Sequence, residues 1–123
     1  MKPRVLLIDD DSIMLLEKYL HAMSSITLVA PVDYKEAIMM AKHEQFDAIL
    51  MDGSFGDYTM DNGPGVVRSL RTLKISTRIV MFSSSFFSNM AGINNGANDV
   101  WNKDRLGSPG WEKSLLEVLF LKK

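Results

Sequence analysis

Polar side chains of a few chemical kinds follow four of the short apolar runs in this sequence. They are Asp9, Asp10 and Asp11, then Asp52, then Ser83, Ser84 and Ser85, and finally Lys103. Carboxylates held close together repel one another and resist ionising unless a cation is supplied. A hard divalent ion such as Mg²⁺ (or Mn²⁺) resolves that repulsion with one or two carboxylates and several retained waters. The acidic groups therefore predict a divalent metal site, provided that the fold brings them together.

The same side chains suit the transfer of a phosphoryl group. An ionised aspartate is a competent phosphoryl acceptor, and a bound metal ion neutralises the charge that develops during transfer. A hydroxyl and an ammonium on neighbouring strands would complete a clamp around the phosphoryl oxygens. Each residue type therefore has a chemical reason to stand at the end of its run.

The elements that must position these groups alternate between strands and helices. Short apolar runs without polar alternation suit strands that are buried on both faces of a parallel sheet. The runs occupy residues 5–8, 26–30, 48–51, 79–82 and, more weakly, 99–102. Five strand–helix units predict right-handed crossovers and an α/β fold with helices on both faces of the sheet. Since ligands of such sheets bind at the carboxyl ends of the strands, all four polar groups are expected in one crevice.

Segments with helical periodicity lie between and after these runs. The predicted inward stripes are Ile13, Leu16, Leu20 and Met23; Ala37, Ile38 and Ala41; Val66, Leu70 and Leu73; Phe86, Met90 and Ile93; and Trp111, Leu115, Val118 and Leu119. Asp33 is a candidate cap for the second helix and Pro64 suits the first turn of the third. Gly96 is a candidate stop for the fourth helix, and Ser108 with Pro109 opens the fifth.

Composition excludes several other classes of protein. The 123 residues are 46% hydrophobic with a formal net charge of -1, which suits one globular domain and offers no cluster of cations for nucleic acid. The absence of cysteine excludes a disulfide framework and a thiolate zinc site. No window approaches the roughly 18 consecutive apolar residues that a membrane span needs. We therefore expect a cytoplasmic single domain that binds neither membrane nor nucleic acid directly.

Four motifs in order resemble the receiver domain of bacterial two-component response regulators, the family that includes the single-domain chemotaxis regulator. They are the apolar run into Asp9-Asp10, the segment 46–52, the run into Ser83, and the segment 96–103. The resemblance covers essentially the whole chain. It implies a flavodoxin-like (βα)5 doubly wound parallel sheet with strand order 2-1-3-4-5. It also implies one receiver domain over residues 1–123 without an output domain.

The resemblance assigns a role to each candidate site residue. It makes Asp52 the phosphoacceptor, with the Ser83 hydroxyl and the Lys103 ammonium on the phosphoryl group. The implied Mg²⁺ ligands are Asp10 and Asp52 directly, Asp9 through water, and the backbone carbonyl of Ser54. The implied phosphodonor is a sensor histidine kinase or a phosphotransfer protein. The result would be a self-modifying switch and not a turnover enzyme.

A downstream protein is expected to read that switch at the face made by the fourth helix, the fifth strand and the fifth helix. Phe86 and Phe87 begin the fourth helix, and one of the two is expected to face outward. The segment from Ser83 to Lys103 is shorter than is usual in the family, so the fourth helix is the element most expected to differ. Trp101 stands one place after the usual aromatic position and is expected to pack in the core.

The stretch between Asp52 and the next helix also departs from the family. Gly63 comes eleven residues after Asp52, which lengthens the acceptor loop, and the usual Met-Pro pair is absent. A long irregular stretch in a compact domain is more often functional than accidental. The altered loop leaves open a degenerate receiver that acts as a phosphorylation-independent protein-binding module.

A phosphohydrolase of the haloacid dehalogenase type is a third alternative, because it uses the same kinds of residue. The string Asp52-Gly53-Ser54 is similar to its first motif. That class, however, places its nucleophile on the leading strand and a second aspartate two residues later, where this chain has Ser54. The order of the motifs therefore favours the receiver.

Overall fold

The fold is built on one five-stranded parallel sheet. The structure, a computed structural model, describes residues 2–8, 18–20, 22–31, 34–53 and 63–120. The strands are β1 (Arg4–Ile8), β2 (Thr27–Val29), β3 (Ala48–Met51), β4 (Ile79–Ser83) and β5 (Asp99–Asn102). They run in the order β2-β1-β3-β4-β5, so the predicted parallel sheet and its strand order are confirmed.

Helices cover both faces of this sheet. They are α1, helical at residues 18–20, α2 (Tyr34–His43), α3 (Gly63–Thr72), α4 (Phe86–Asn94) and α5 (Trp111–Phe120). Residues of α2 and α3, with Ala97 after α4, share one core layer, while Leu20 and residues of α5 share the other. Every residue of β3 and β4 is buried, as a strand covered on both faces requires. Among the described helices, none is long and apolar enough to cross a membrane.

Two of the predicted helical stripes are wrong in part. Leu73 lies just after α3 and is exposed, while Val67 within the helix is buried. In α4, Phe86 and Met90 are exposed, and the buried residues are Asn89 and Gly92. A Cβ at Gly92 would collide with the Met81 side chain, so the missing Cβ lets this helix approach the sheet closely.

The other predicted stripes agree with the structure as far as it describes them. The buried members are Leu20, Met23, Ala37, Ala41, Leu115 and Leu119. Ile13, Leu16 and the candidate cap Asp33 lie outside the described residues. Gly96 follows α4 with a φ of 115°, a conformation that glycine adopts without strain, which confirms the predicted stop.

Arg71 of α3 ties three segments together at the amino edge of the sheet. Its Nε donates to the carbonyl of Gly96 at 2.9 Å, and its Nη1 donates to the carbonyls of Ile75 at 2.7 Å and Thr77 at 2.8 Å. Its Nη2 donates to Oδ1 of Asn98 at 2.8 Å. Burial lowers the pKa of the Arg71 guanidinium from its usual value. The clamp therefore fixes the C-terminal end of α4 to the end of α3.

Candidate acceptor site

Asp52 follows directly after β3, at the carboxyl edge of the sheet. It is only 2% exposed. Its backbone N–H donates to the carbonyl of Ile8, the last residue of β1, at 2.8 Å. β1 and β3 also end in register, with Ile8 beside Met51. The backbone of Asp52 is therefore fixed against the end of the neighbouring strand.

Lys103 follows β5 and points back toward Asp52. It begins a 3₁₀ turn, Lys103–Arg105, whose first turn is capped by the Asn102 side chain accepting from the Asp104 N–H at 2.8 Å. The Lys103 side chain is buried, with 8% of the residue exposed. Its Nζ lies 3.6 Å from Oδ2 of Asp52. Buried charged groups are usually found paired, and these two side chains form such an ion pair.

Ser83 places a hydroxyl at the end of β4, between the other two strand ends. The residue is 3% exposed, whereas Ser84 is exposed to solvent. Oγ of Ser83 accepts a hydrogen bond from the N–H of Ser85 at 3.0 Å. The Ser85 hydroxyl in turn caps α4 by accepting from the N–H of Ser88 at 3.2 Å. The start of α4 is thus hydrogen-bonded to the residue that carries the buried hydroxyl.

The structure brings together Asp52, Ser83 and Lys103 among the predicted site residues. Asp9, Asp10 and Ser54 lie outside the described residues. Within the described ranges no three acids or histidines form a metal cluster, and Asp52 is the sole predicted carboxylate ligand that these ranges contain. The metal assignment therefore stays a prediction, while an acid, a hydroxyl and an ammonium do meet at one edge of the sheet.

Sequence reasoning missed Gly53, which lets α4 pack against the backbone beside Asp52. A Cβ at Gly53 would lie 2.5 Å from Cβ of Ser88 and 3.1 Å from Cβ of Ser83. Both distances are shorter than ordinary van der Waals contact. The signal in the sequence was a glycine directly after the candidate acceptor, but its partner Ser88 is far away along the chain.

Asn89 is the second residue that periodicity did not find. It is buried on the inner face of α4, and its Nδ2 donates to the carbonyl of Ser83 at 3.0 Å. Its Oδ1 has no hydrogen-bond partner within the described part of the chain. The amide therefore links the first half of α4 to the backbone of Ser83.

The start of α3 lies against the backbone that follows β3. A Cβ at Gly63, the first residue of α3, would collide with the carbonyl oxygen of Asp52 and would lie 2.8 Å from Cα of Gly53. Only glycine allows α3 to begin this close to the acceptor backbone. The start of α3 is thus fixed beside the backbone of Asp52 and Gly53.

Comparison with protein families decides the identity of this arrangement. The family model described as the response regulator receiver domain matches residues 5–106. The chain belongs to the response regulator receiver domain family. Membership implies phosphoryl-accepting signalling, and receiver domains of this family are signalling switches rather than turnover enzymes.

Solved structures with the same fold include receiver domains from several organisms. The CheY-like receiver domain protein of Methanospirillum hungatei is 20% identical, with a TM-score of 0.69 over 95% of this chain and 90% of that one. The chemotaxis protein CheY4 of Vibrio cholerae is 24% identical, with a TM-score of 0.70 over 97% of each chain.

The receiver domain of a sensor histidine kinase from Pseudomonas aeruginosa is 19% identical, with a TM-score of 0.74 over 97% of this chain and 95% of that one. Its structure holds a magnesium ion in the active-site cleft. No curated protein matches the sequence significantly. At these identities the neighbours establish the shared fold of the receiver domain.

Proposed function

We propose that this receiver domain is a phosphorylation-dependent switch in which Asp52 accepts a phosphoryl group from a sensor histidine kinase or a phosphotransfer protein. The observation that carries the proposal is the buried pair of Asp52 and Lys103, whose charged atoms lie 3.6 Å apart at the carboxyl edge of the sheet. In a site that excludes water, a fixed ammonium stabilises negative charge more strongly than it would in solvent. The Lys103 ammonium therefore favours a modification that adds negative charge to Asp52.

In the proposed transfer, a carboxylate oxygen of Asp52 forms a bond to phosphorus while the bond from phosphorus to the donor histidine nitrogen breaks. The nitrogen leaves with the electron pair of that bond. The Lys103 ammonium balances the added charge, and the Ser83 hydroxyl donates to a phosphoryl oxygen. Attack of water on the acyl phosphate then releases inorganic phosphate and restores the Asp52 carboxylate.

A hard divalent cation, Mg²⁺ or Mn²⁺, fits the chemistry of these donors. The backbone N–H of Asp52 donates to the carbonyl of Ile8, so Asp52 lies beside the end of β1. The acids Asp9 and Asp10 directly follow β1 in the sequence. We propose Asp10 and Asp52 as direct ligands, Asp9 as a ligand through water, and the backbone carbonyl of Ser54 as a further ligand. When bound, the ion neutralises charge on the phosphoryl oxygens. The magnesium ion in the Pseudomonas aeruginosa neighbour agrees with this assignment.

The downstream partner is proposed to dock on the face formed by α4, β5 and α5. Phe86 and Phe87 are 70% and 83% exposed, and their rings contact each other edge to face with centroids 5.9 Å apart. Met90, one turn later, is also exposed. Grouped apolar side chains on a surface are typical of a protein interaction site. Their helix begins directly after Ser85, whose N–H donates to the Ser83 hydroxyl, and this hydrogen bond links the surface to the acceptor site.

The proposed chemistry is tested by intact-mass measurement after incubation with Mg²⁺ and acetyl phosphate. We expect one added phosphoryl group, which is lost in Asp52→Asn and after chelation of the metal. Asp47→Asn is the matched control, because Asp47 is an exposed acid at the start of β3, at the other edge of the sheet. This control should still be phosphorylated.

Absence of the adduct in the unaltered protein would contradict the proposal. It would favour the alternative of a degenerate receiver that binds a partner without phosphorylation. An adduct that persists in Asp52→Asn would place the acceptor elsewhere. Either result would redirect the search toward the long segment after Asp52, where this chain departs from the family.

A further inference from the structure

Four side chains form a row that leads from the acceptor site to the loop before α5. Nζ of Lys103 lies 5.2 Å from the ring centroid of Phe82. The Phe82 ring stacks on the indole of Trp101, with centroids 5.8 Å apart and an interplanar angle of 19°. The guanidinium carbon of Arg105 lies 5.5 Å from the Trp101 ring on the outer side of the protein. We call this row the cation–aromatic stack.

The two rings of the stack are held rigidly in the core. Phe82 and Trp101 are cross-strand neighbours on β4 and β5, and both are almost completely buried. The indole N–H of Trp101 donates to Oγ of Ser114 in α5 at 3.1 Å. Because a packed core leaves few voids, a shift of one ring must be taken up by its neighbours. Outside the sheet, the neighbours of Trp101 that would take up such a shift are Arg105 and Ser114 of α5.

The stack lies on the α5 side of the sheet. Trp101 belongs to the core layer that contains Leu115 and Leu119 of α5, whereas Val100 packs in the opposite layer. Lys103 consequently contacts the acceptor with its ammonium and the α5 layer through Phe82. A route from the acceptor to α5 exists that does not pass through α4.

Lys103 has two attractive partners, the carboxylate of Asp52 and the ring of Phe82. The carboxylate of Asp52 lies 3.6 Å from Nζ, and the face of the Phe82 ring attracts the same ammonium as a cation–π partner. A phosphoryl group on Asp52 adds negative charge at one end only. The ammonium would then be drawn toward the phosphoryl oxygens, and its contact with the ring would weaken.

We propose that Phe82 and Trp101 carry a displacement of Lys103 at the acceptor site to Arg105 and α5. The inference rests on the proposed function and adds an output route to it. It assigns a regulatory role to the segment Lys103–Arg105 and to the Ser114 contact. It also makes Trp101 an intrinsic reporter of the state of Asp52.

The test uses the fluorescence of Trp101 in the full chain. The protein has two tryptophans, so Trp111→Phe leaves Trp101 as the single emitter and keeps an aromatic ring beside Tyr19. Emission is recorded with Mg²⁺ alone and then with Mg²⁺ and beryllofluoride, a phosphoryl mimic. Phosphorylation by acetyl phosphate is measured in parallel by intact mass. We expect a change in Trp101 emission that requires beryllofluoride and is lost in Asp52→Asn.

Phe82→Leu in the same background separates the stack from the acceptor chemistry. We expect the phosphoryl adduct to form while the emission response of Trp101 is lost, because the ring between Lys103 and Trp101 is gone. Met81→Leu is the matched control. Met81 is fully buried on the same strand but faces the other core layer, and its exchange for leucine conserves volume. This control should keep both the adduct and the response.

The outcomes distinguish the inference from the function on which it rests. An adduct without any emission response in Trp111→Phe would overturn the inference and leave the acceptor role intact. A full response in Phe82→Leu would overturn it equally. Absence of the adduct in every variant, including the unaltered chain, would overturn the proposed function and this inference with it.

Discussion

At the scale of single residues, Asp52 and Lys103 form an ion pair in a buried place, where ion pairs are costly. Removing two charges from water costs several kcal/mol per ion, and a close pair recovers this only with good geometry. At 3.6 Å the ammonium and the carboxylate are in ionic contact but longer than an ideal charge-assisted hydrogen bond. The pair is therefore better explained by acceptor chemistry than by stability.

Lys103→Met tests that explanation, because it removes the ammonium and leaves the buried Asp52 carboxylate without this partner. We expect the free energy of unfolding to fall by about 3 kcal/mol, as for other broken buried pairs. Urea denaturation followed by circular dichroism measures this change. The phosphoryl adduct at Asp52 should be lost or strongly reduced at the same time.

Lys113→Met is the control for this prediction, because Lys113 is an exposed lysine on α5. Its replacement should change the free energy of unfolding by less than about 0.5 kcal/mol. A Lys103→Met protein that is as stable as the parent and is phosphorylated to the same extent would show that the ion pair serves neither purpose.

At the scale of secondary-structure elements, the N-terminal half of α4 is held by direct contacts with the acceptor site. Its first turn rests on Gly53, its cap Ser85 bonds to the Ser83 hydroxyl, and Asn89 bonds to the Ser83 carbonyl. These contacts involve the residue next to Asp52 and the residue that carries the buried hydroxyl. A change of geometry at the acceptor therefore reaches α4 through short, direct contacts.

Gly53→Ala tests the packing of α4 against the acceptor backbone. The new methyl group would lie 2.5 Å from Cβ of Ser88, so α4 must shift outward. We expect destabilisation of about 1–3 kcal/mol, typical of overpacking. Thermal and urea unfolding measure the loss of stability. The displacement of α4 should appear as changed chemical shifts in the amide NMR spectrum.

Ser88→Gly provides the matched partner in a double-mutant cycle. It removes the atom that the new methyl group meets, so the double variant should be more stable than the sum of the two single changes predicts, by at least about 0.5 kcal/mol. Strict additivity of the two substitutions would contradict direct contact between Gly53 and Ser88.

The helix α4 also shows where sequence reasoning stopped. The strands, and the positions of Asp52, Ser83 and Lys103 at their carboxyl ends, could be predicted, because apolar runs and the polar residues that end them are local features. The inner face of α4 could not, because a stripe of apolar residues is assumed to face the core. Here Gly92 brings the helix so close to Met81 that small and polar residues occupy that face.

Gly53 and Asn89 were missed for a related reason. Their importance comes from contacts with residues on other elements, Ser88 for the glycine and Ser83 for the amide. A single sequence carries no record of such contacts. The metal-ligand assignment of Asp9, Asp10 and Ser54 stays a prediction, because these residues lie outside the described part of the chain.

At the scale of the whole molecule, the candidate acceptor site and the Arg71 clamp lie at opposite edges of the sheet. The carboxyl edge carries the acceptor site, and the amino edge of β4 and β5 carries the Arg71 clamp. The clamp gathers acceptors from the ends of α3 and α4, including Asn98, whose Oδ1 also accepts the Ile79 N–H at 2.8 Å. α4 is therefore fixed at its C-terminal end by the clamp and at its N-terminal end by the acceptor site.

This division predicts that the clamp can be weakened without loss of acceptor chemistry. Arg71→Lys keeps the positive charge, but an ammonium on a flexible chain cannot reach the four oxygens that the planar guanidinium contacts. We expect the free energy of unfolding to fall by about 2–3 kcal/mol, since several charge-assisted hydrogen bonds are lost. Arg68→Lys, an exposed change on the same helix, should have almost no effect.

The extent of phosphorylation at Asp52 decides whether the two edges act independently. Measured by intact mass well below the unfolding transition, it should be the same in Arg71→Lys as in the parent protein. Because the clamp holds only the C-terminal end of α4, the N-terminal contacts with Gly53 and Ser83 should persist. A variant that stays folded but loses the adduct would instead show that α4 transmits strain along its whole length, so that the amino edge also controls the acceptor.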